Sequence, residues 1–234
     1  YQFIEGDVSE MNLKSIFTGA DAVIHLAAIT DAAGSIDMAE ELEANNFQST
    51  LKVAEACLDS GAALIALSST SVYGTQKDKV DENCSESELQ PQSPYATTKL
   101  KEEVLISTLV KEKNLKAIHC RFGTIFGAAP GMRFHTAVNK FCWQAVMNQP
   151  ISVWSTAYDQ KRPYLDLLDA SRAIAFIIKN NIFDGQIYNV LTTNATVRQV
   201  VETIKEFVPT IEIEFVDNRI MNQLSYEVMC DRFK

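Results

Sequence analysis

LIALSSTSVYG, at residues 64–74, is an apolar run that ends on a cluster of hydroxyl side chains. A short apolar run bounded by turn residues predicts a buried parallel strand, and open α/β sheets bind ligands at the carboxyl ends of such strands. Ser69 lies at this end. The next signal is SPYATTKL, at residues 93–100, where Pro94 and the helical spacing of the apolar residues that follow predict the start of a helix.

Tyr95 and Lys99 are four residues apart, so the predicted helix presents both on one face. A nearby ammonium favours the ionised phenol. Free tyrosine titrates near ~10, and lowering that by about three units, to where a base works at neutral pH, requires roughly 4 kcal/mol. The alternative is a helix-start aromatic beside a solvated lysine. The strand that ends in Ser68-Ser69 favours the catalytic interpretation.

The composition, net charge and cysteine content of the chain argue against several classes of function. The chain has 234 residues, 47% of them apolar and 22% charged, which is typical of a soluble globular protein. A net charge of -9 argues against nucleic acid or an anionic membrane as the main partner. The five cysteines lack CxxC or Cys/His metal spacing, so we expect no metal site and a reducing, cytoplasmic location. No membrane-length apolar run or signal peptide is visible.

The remaining pattern alternates strands and helices. We predict strands at 1–7, 22–28, 117–123, 185–190 and 211–216, and helices after residue 8, at 37–60 and at 197–207. Ser9 is a possible cap of the first helix, and Gly61 closes the helix at 37–60. His25 lies inside an apolar run and is interpreted as a core histidine. The alternation loosens from about residue 128.

Five segments resemble the extended short-chain dehydrogenase/reductases, the NAD-dependent epimerase/dehydratase group that acts on nucleotide sugars. They are the strand and helix already quoted, IHLAA at 24–28, RFGTIFG at 121–127 and QKRPYLDLLDA at 160–170. The resemblance implies a doubly wound, Rossmann-like parallel α/β sheet with a smaller α/β substrate domain. The expected division is a dinucleotide-binding part, 1–127, and a mainly substrate-binding part, 128–234.

The glycine-rich turn that normally holds the dinucleotide pyrophosphate has no counterpart here, because the nine glycines form neither GxxGxxG nor GxGxxG. The match to the family begins at the third strand of the expected sheet. We therefore expect an N-terminally incomplete sheet, which alone would bind NAD poorly.

The resemblance also implies roles for individual residues. Tyr95 is the catalytic base, Lys99 lowers its pKa and Ser69 binds the reacting oxygen. The implied cofactor-binding residues are Asp7, Leu26, Ala27, Ala28, Asn46, Tyr95 and Lys99. The implied substrate-binding residues are Ser69, Thr70, Thr124, Asn139 and Arg162. Asp7 is equally well explained as a turn aspartate.

For Thr124 and Arg162, the residue types themselves bear on the implied substrate contacts. Thr124 stands where the family usually has asparagine, which weakens its substrate contact. Arg162 would hold the substrate diphosphate, since its planar fork matches phosphate oxygens, although a basic loop without ligand is the alternative. Asp169 is expected to cap the helix that follows.

The expected function is NAD-dependent epimerisation of a nucleotide sugar through a transient keto intermediate, with NADP not excluded as cofactor. The alternatives are a net oxidoreductase of the same family and a non-catalytic dinucleotide-binding relative. Family dehydratases carry Asp-Glu where this chain has Thr70-Ser71, so dehydration is disfavoured unless Asp81 or Glu82 supplies the acid. The expected partners are a nucleotide sugar and a second copy of the chain, paired through the helices at 37–60 and 95–113.

Overall fold

The computed structural model describes residues 1–30, 39–74, 78–217 and 225–233. Within these ranges the helices are α1 (Leu13–Phe17), α2 (Ala39–Ser60), α3 (Pro94–Lys113), α4 (Ala137–Val146), α5 (Leu167–Asn180) and α6 (Val197–Phe207). The strands are β1 (Ala22–His25), β2 (Ala63–Ser69), β3 (Lys79–Val80), β4 (Ala117–Phe122), β5 (Thr124–Phe126), β6 (Ile151–Trp154), β7 (Lys161–Asp166), β8 (Ile187–Val190), β9 (Thr193–Thr196), β10 (Ile213–Val216) and β11 (Glu227–Val228).

The chain divides into two compact units. Unit 1 consists of Tyr1–Val72, Pro91–Arg121 and Ile174–Tyr188, and unit 2 consists of Tyr73–Gln90, Phe122–Ala173 and Asn189–Lys234. The division of ligands between a dinucleotide-binding part, 1–127, and a substrate-binding part, 128–234, stays a prediction.

A four-stranded sheet with the order β1-β2-β4-β8 organises unit 1. β1 and β2 run parallel, with Ala22 opposite Ala63 and His25 opposite Ala66. Helix α2 connects β1 to β2 and helix α3 connects β2 to β4. Parallel strands need such crossover connections. The strand and the helix predicted from residues 64–100 are observed as β2 and α3, so both predictions are confirmed.

Local sequence sets the ends of the two crossover helices. Helix α2 ends at Gly61, whose φ of +76° lies in the left-handed region that glycine adopts at little cost. Helix α3 begins after Ser93, whose hydroxyl accepts a hydrogen bond from the amide of Ala96 at 3.2 Å, and Pro94 occupies its first turn. These caps fix where Tyr95 stands on the first turn of α3.

The core of unit 1 lies between its sheet and these helices. Its buried members are Leu13, Val53, Ala54, Ala56, Cys57, Leu64, Ala66, Ile106, Leu109, Leu115 and Ala117. They come from α1, α2, α3, β2 and β4 or the residues just before β4, so the apolar periodicity of the sequence is used to pack helices onto the sheet.

Unit 2 contains three smaller sheets. They have the orders β5-β7-β9, β10-β6 and β11-β3, and β9 runs antiparallel to β7. A second core joins α4, α6 and β6, with Phe141, Ile151, Val201 and Ile204 among its buried residues. Thr196 and Gln199 form a capping box at the start of α6, which confirms the helix predicted at 197–207.

The predicted strand at residues 1–7 is wrong. This segment is irregular and its residues are exposed, including Phe3 and Ile4. None of the described strands pairs with it, and an unpaired strand leaves its backbone hydrogen-bonding groups unsatisfied by protein. The cap of α1 is Asn12 and not Ser9, because the Asn12 side chain accepts from the amide of Ser15.

The predicted cap of α5 also needs correction. The carboxylate of Asp166 accepts a hydrogen bond from the amide of Leu168 at 2.8 Å. Asp169 lies inside the first turn, where it contacts Arg172 and Thr192 instead. Because β7 ends at Asp166 and α5 begins at the next residue, the last strand residue occupies the capping position.

Candidate active site

Ser69 lies at the carboxyl end of β2, where the strand passes into a short turn at Thr70–Val72. Its Oγ accepts hydrogen bonds from the amide of Ser71 at 3.2 Å and from the Ser71 hydroxyl at 2.9 Å. A hydroxyl has one proton to donate in addition to its acceptor sites. Because Ser71 uses only acceptor sites of the Ser69 hydroxyl, these two contacts leave its proton available for donation.

Tyr95 and Lys99 share one face of α3, as their spacing predicts. The Lys99 Nζ lies 5.9 Å from the centre of the Tyr95 ring. Tyr95 is half-buried, whereas Lys99 is buried with 5% of its surface exposed. A buried ammonium at this distance stabilises the ionised form of the phenol more than a solvent-exposed ammonium would, because water screens it less. The bland alternative of a solvated surface lysine is therefore wrong.

A buried carboxylate, which sequence analysis missed, contacts Lys99. The Glu102 Oε2 lies 2.8 Å from the Lys99 Nζ, and both side chains are 6% exposed. Burial raises the pKa of Glu102, and the Lys99 ammonium offsets part of that rise. The i,i+3 spacing was available in the sequence as a signal, but it does not show which face of α3 is buried.

A second buried ion pair holds α3 to the sheet. Arg121 on β4 makes a bidentate contact with Glu103, with Nε–Oε1 and NH2–Oε2 distances of 2.8 Å and 2.6 Å. The Ser68 hydroxyl donates to the same carboxylate at 2.5 Å. Three elements, β2, α3 and β4, are therefore joined through one glutamate, which contacts the neighbour of Ser69 in β2 and lies one turn after Lys99 on α3.

The two histidines of this region are buried and neutral. His25 shares a hydrogen bond with Thr50 at 3.1 Å, and desolvation lowers its pKa to about 4. His119 on β4 has its pKa lowered to about 4 by the same cause. The prediction that His25 is a core histidine is confirmed.

The residues expected to bind the cofactor lie on three elements of unit 1. Leu26, Ala27 and Ala28 directly follow β1, with Leu26 and Ala27 exposed. The buried Asn46 holds this segment, since its side-chain amide accepts from the Ile29 amide at 2.8 Å and donates to the Ile29 carbonyl at 2.9 Å. The backbone just after β1 is thereby held through both the amide and the carbonyl of Ile29.

Asp7 has the geometry of a turn aspartate. It is exposed, and its carboxylate accepts from the amide of Ser9 at 2.7 Å. Hydrogen bonding to Ser9 lowers the pKa of Asp7. The contact with Ser9 accounts for the position of this carboxylate, and the cofactor role of Asp7 stays a prediction.

Unit 2 contains a cavity of about 270 Å³ with a cationic wall. Arg162, Lys140 and His135 line it, and none of the described residues that line it is acidic. The remaining lining residues are Thr124, Ala137, Phe141, Ser152, Val153, Trp154, Ala157, Gln160, Tyr164 and Val197. Such a cavity suits an anionic ligand that carries a flat or apolar group.

Gln160 orients the arginine of this cavity. The guanidinium of Arg162 donates to the Gln160 Oε1 at 2.8 Å, and burial lowers the pKa of Arg162. Arginine remains charged despite such a shift. Sequence analysis found Arg162 and Thr124 but missed His135, Lys140 and Trp154, whose only signal was their proximity in the chain to predicted residues.

Asn139 and Thr70 are used by the fold. The Asn139 side chain accepts from the amide of Gly127 at 3.1 Å and donates to the carbonyl of Arg133 at 3.0 Å. Thr70 is buried with 5% of its surface exposed. Their substrate contacts stay predictions.

Among the described residues, no group of three or more His, Cys, Asp or Glu side chains could hold a metal ion. None of the helices found there is both long and apolar enough to cross a membrane.

Known proteins with similar sequences are nucleotide-sugar enzymes by name. A trifunctional UDP-glucose 4,6-dehydratase/UDP-4-keto-6-deoxy-D-glucose 3,5-epimerase/UDP-4-keto-L-rhamnose-reductase of Arabidopsis thaliana is 28% identical over 97% of this chain and 35% of its own length. An uncharacterized UDP-glucose epimerase of Bacillus subtilis is 28% identical over 88% of this chain and 64% of its own length. The chain thus spans less than two thirds of these relatives.

Solved structures share the fold. A UDP-glucuronic acid 4-epimerase variant from Bacillus cereus, in complex with NAD and a fluorinated UDP-glucuronic acid, superposes with a TM-score of 0.88 over 99% of this chain and 74% of its own, at 22% identity. A dTDP-glucose 4,6-dehydratase from Streptomyces venezuelae with NAD bound gives 0.86 over 99% and 71%, at 21% identity. The predicted α/β, Rossmann-like fold with a parallel sheet is confirmed.

The family follows from the sequence match together with the site. The strand ending at Ser69, the Tyr95–Lys99 pair on the next helix and Arg162 all lie within residues 1–190, the stretch that matches a single family model. The expected resemblance is confirmed: the chain belongs to the NAD dependent epimerase/dehydratase family.

Proposed function

We propose that this chain is part of an NAD-dependent nucleotide-sugar epimerase in which Tyr95 is the general base and the sugar passes through a transient keto form. The observation that carries the proposal is the buried Lys99 ammonium, 5.9 Å from the Tyr95 ring, on the helix that follows the Ser69 strand. A base of this kind needs a lowered pKa, which a desolvated cation supplies.

Tyr95, Ser69 and Lys99 each have one role in this reaction. The Tyr95 phenolate takes the proton of the reacting sugar hydroxyl and later returns it. The Ser69 hydroxyl donates a hydrogen bond to the same oxygen. Its proton is available for this because Ser71 occupies only its acceptor sites. Lys99 keeps the phenol ionisable. The proton and the hydride both leave the sugar and both return. Because the hydride returns to the opposite face of the keto carbon, an epimer is formed without net oxidation.

The residues after β1 fit a dinucleotide. Ala27 and Ala28 have no side-chain atoms beyond Cβ, so a ligand can approach the backbone that Asn46 holds in place. Bound NAD would supply the acceptor and donor of the hydride. Tyr95 and Lys99 would contact its nicotinamide end, and Leu26 and Asp7 are further candidates for its binding.

Arg162 is proposed to bind the substrate diphosphate. Arg162→Ala in the full-length protein should raise KM for the nucleotide sugar roughly tenfold to a hundredfold with a smaller effect on kcat, because a charge-assisted hydrogen bond contributes about 1.5–3 kcal/mol. Steady-state kinetics measure both constants.

The neighbouring cation provides the matched control for this prediction. Lys161 forms an ion pair with Glu227 at 3.1 Å and does not line the cavity, so Lys161→Ala should leave KM within about twofold of the parent value. Equal KM values for the parent and Arg162→Ala would contradict the assignment.

Dehydration is the second candidate, because the Arabidopsis and Streptomyces relatives are named 4,6-dehydratases. Elimination of water needs an acid for the leaving hydroxyl, and Thr70 and Ser71 titrate far too high to serve. In addition, the Ser71 hydroxyl donates to Ser69. Epimerisation needs only the proton and hydride transfers described above.

The product mass separates these two reactions. Full-length protein incubated with NAD and either UDP- or dTDP-hexoses should give a product of unchanged mass and altered sugar configuration, measured by mass spectrometry and sugar analysis. Loss of one water would identify a dehydratase, and reduced cofactor accumulating in proportion to product would identify a net oxidoreductase.

A homodimer through α2 and α3 remains part of the proposal. The two helices pack against each other in unit 1, and α3 exposes the apolar side chain of Val104. An exposed aliphatic residue on a pair of long helices is compatible with an interface.

A further inference from the structure

Lys99 contacts the carboxylate of Glu102, to which the reaction proposed above assigns no role. The Lys99 Nζ lies 2.8 Å from Glu102 and 5.9 Å from the Tyr95 ring centre. A buried ammonium is stable only with a compensating charge or hydrogen bonds, since removal from water penalises the charged form. Glu102 provides this compensation from the next turn of the same helix.

The other charged groups around Lys99 do not replace Glu102. Glu103 on α3 is engaged by Arg121 on β4 in a bidentate ion pair. His25 on β1 and His119 on β4 are both held neutral by burial. Glu103 and the two histidines, with Ser68 on β2 and Thr50 on α2, line the small space beside Lys99 and Glu102.

The Lys99–Glu102 ion pair lies within one helix, whereas the Arg121–Glu103 pair joins α3 to β4. The Glu102 Oε2 contacts the Lys99 ammonium, and the Thr50 side chain is the other hydrogen-bonding group that lowers the pKa of Glu102. Burial is less well compensated here than at the adjacent Glu103, both of whose oxygens accept from the Arg121 guanidinium. A carboxylate kept at this cost beside the proposed catalytic lysine points to a role in the reaction.

We propose that Glu102 is a positioning residue that holds Lys99 in its ammonium form beside Tyr95, and so keeps Tyr95 ionisable at neutral pH. The inference rests on the proposed function of Tyr95 as base. Without the Glu102 charge, the buried lysine relieves its desolvation by releasing its proton, and the phenol loses the cation that stabilises its ionised form.

The test compares Glu102→Gln, Glu102→Asp and the exposed control Glu112→Gln on the same helix, all in the full-length protein. In Glu102→Gln the acid limb of the kcat profile should move up by about one pH unit, with kcat near neutrality about tenfold lower and KM little changed. Glu102→Asp, which retains the charge, and Glu112→Gln should keep the parent limb. An unmoved limb or a shift to lower pH in Glu102→Gln would overturn the proposal.

A second measurement does not depend on turnover. The ionisation of Tyr95 is followed by ultraviolet difference titration of each protein against its Tyr95→Phe counterpart. Glu102→Gln and Lys99→Met should raise the midpoint by the same amount, and the double variant should add nothing, because Glu102 acts through Lys99. A further shift on combining them would refute this route.

The two measurements also separate the inference from the function on which it rests. If the parent protein turns over no nucleotide sugar, the proposed function fails while the titration still decides whether Glu102 controls Lys99. If the parent is active and the titration shows equal midpoints in parent and Glu102→Gln, the function stands and the inference fails.

Discussion

Replacing Tyr95 with phenylalanine is expected to lower kcat by a factor of about 10²–10⁴, the usual contribution of a general base. Phenylalanine lacks only the phenol oxygen, so the packing of the half-buried ring on α3 is kept. The thermal midpoint and the affinity for NAD should therefore stay close to those of the parent. Initial rates with the nucleotide sugar identified by product analysis measure the effect in the full-length protein.

Tyr188→Phe is the control for this experiment. It removes the hydroxyl that donates to Asp184 at 2.6 Å, and Tyr188 is not among the proposed site residues, so kcat should stay unchanged. A Tyr95→Phe protein that retains parental activity would remove Tyr95 from the mechanism.

The second large effect concerns stability. Arg121→Met should lower the free energy of unfolding by about 3–5 kcal/mol, because Glu103 would keep a buried carboxylate without its counter-ion. Both side chains are almost fully buried, with exposures of 1% and 4%. Urea titrations that follow the reactivity of the buried Cys57 thiol would report on unit 1, where this ion pair lies.

An exposed ion pair on the same helix provides the comparison. Lys101 lies 2.6 Å from Glu43, and each side chain is 47% exposed. Lys101→Met should cost at most about 1 kcal/mol, since solvent screens the pair. Combining Arg121→Met with Glu103→Leu should restore part of the loss, because no unpaired charge remains. Equal costs for the Arg121 and Lys101 variants would contradict the argument.

The sequence predicted the strand–helix unit around Ser69 and Tyr95 well because its signals are local. The apolar run of β2, the Ser93-Pro94 start of α3 and the four-residue spacing to Lys99 all act within one or two turns of chain. Family resemblance then supplied roles that residue chemistry alone left open, as for Arg162 and its basic-loop alternative.

Features that depend on tertiary contact could not be predicted. The Arg121–Glu103 pair joins residues 18 apart in the chain, and the cationic cavity brings Arg162 beside Lys140 and His135, more than 20 residues earlier. Residues 1–7 have strand-like composition, but a strand needs a paired neighbour, which composition does not reveal. Asp37 and residues 218–224 lie outside the described residues.

The cationic cavity of unit 2 belongs to a chain whose net charge is -9, which has a consequence for ionic strength. An approaching anion first meets the repulsive field of the whole chain, and only within about 8 Å at physiological salt does it experience the local cations. Moderate salt therefore screens the long-range repulsion more than the short-range contacts. For an anionic ligand, association is expected to quicken with the first additions of salt and to weaken only when the contacts inside the cavity are screened as well.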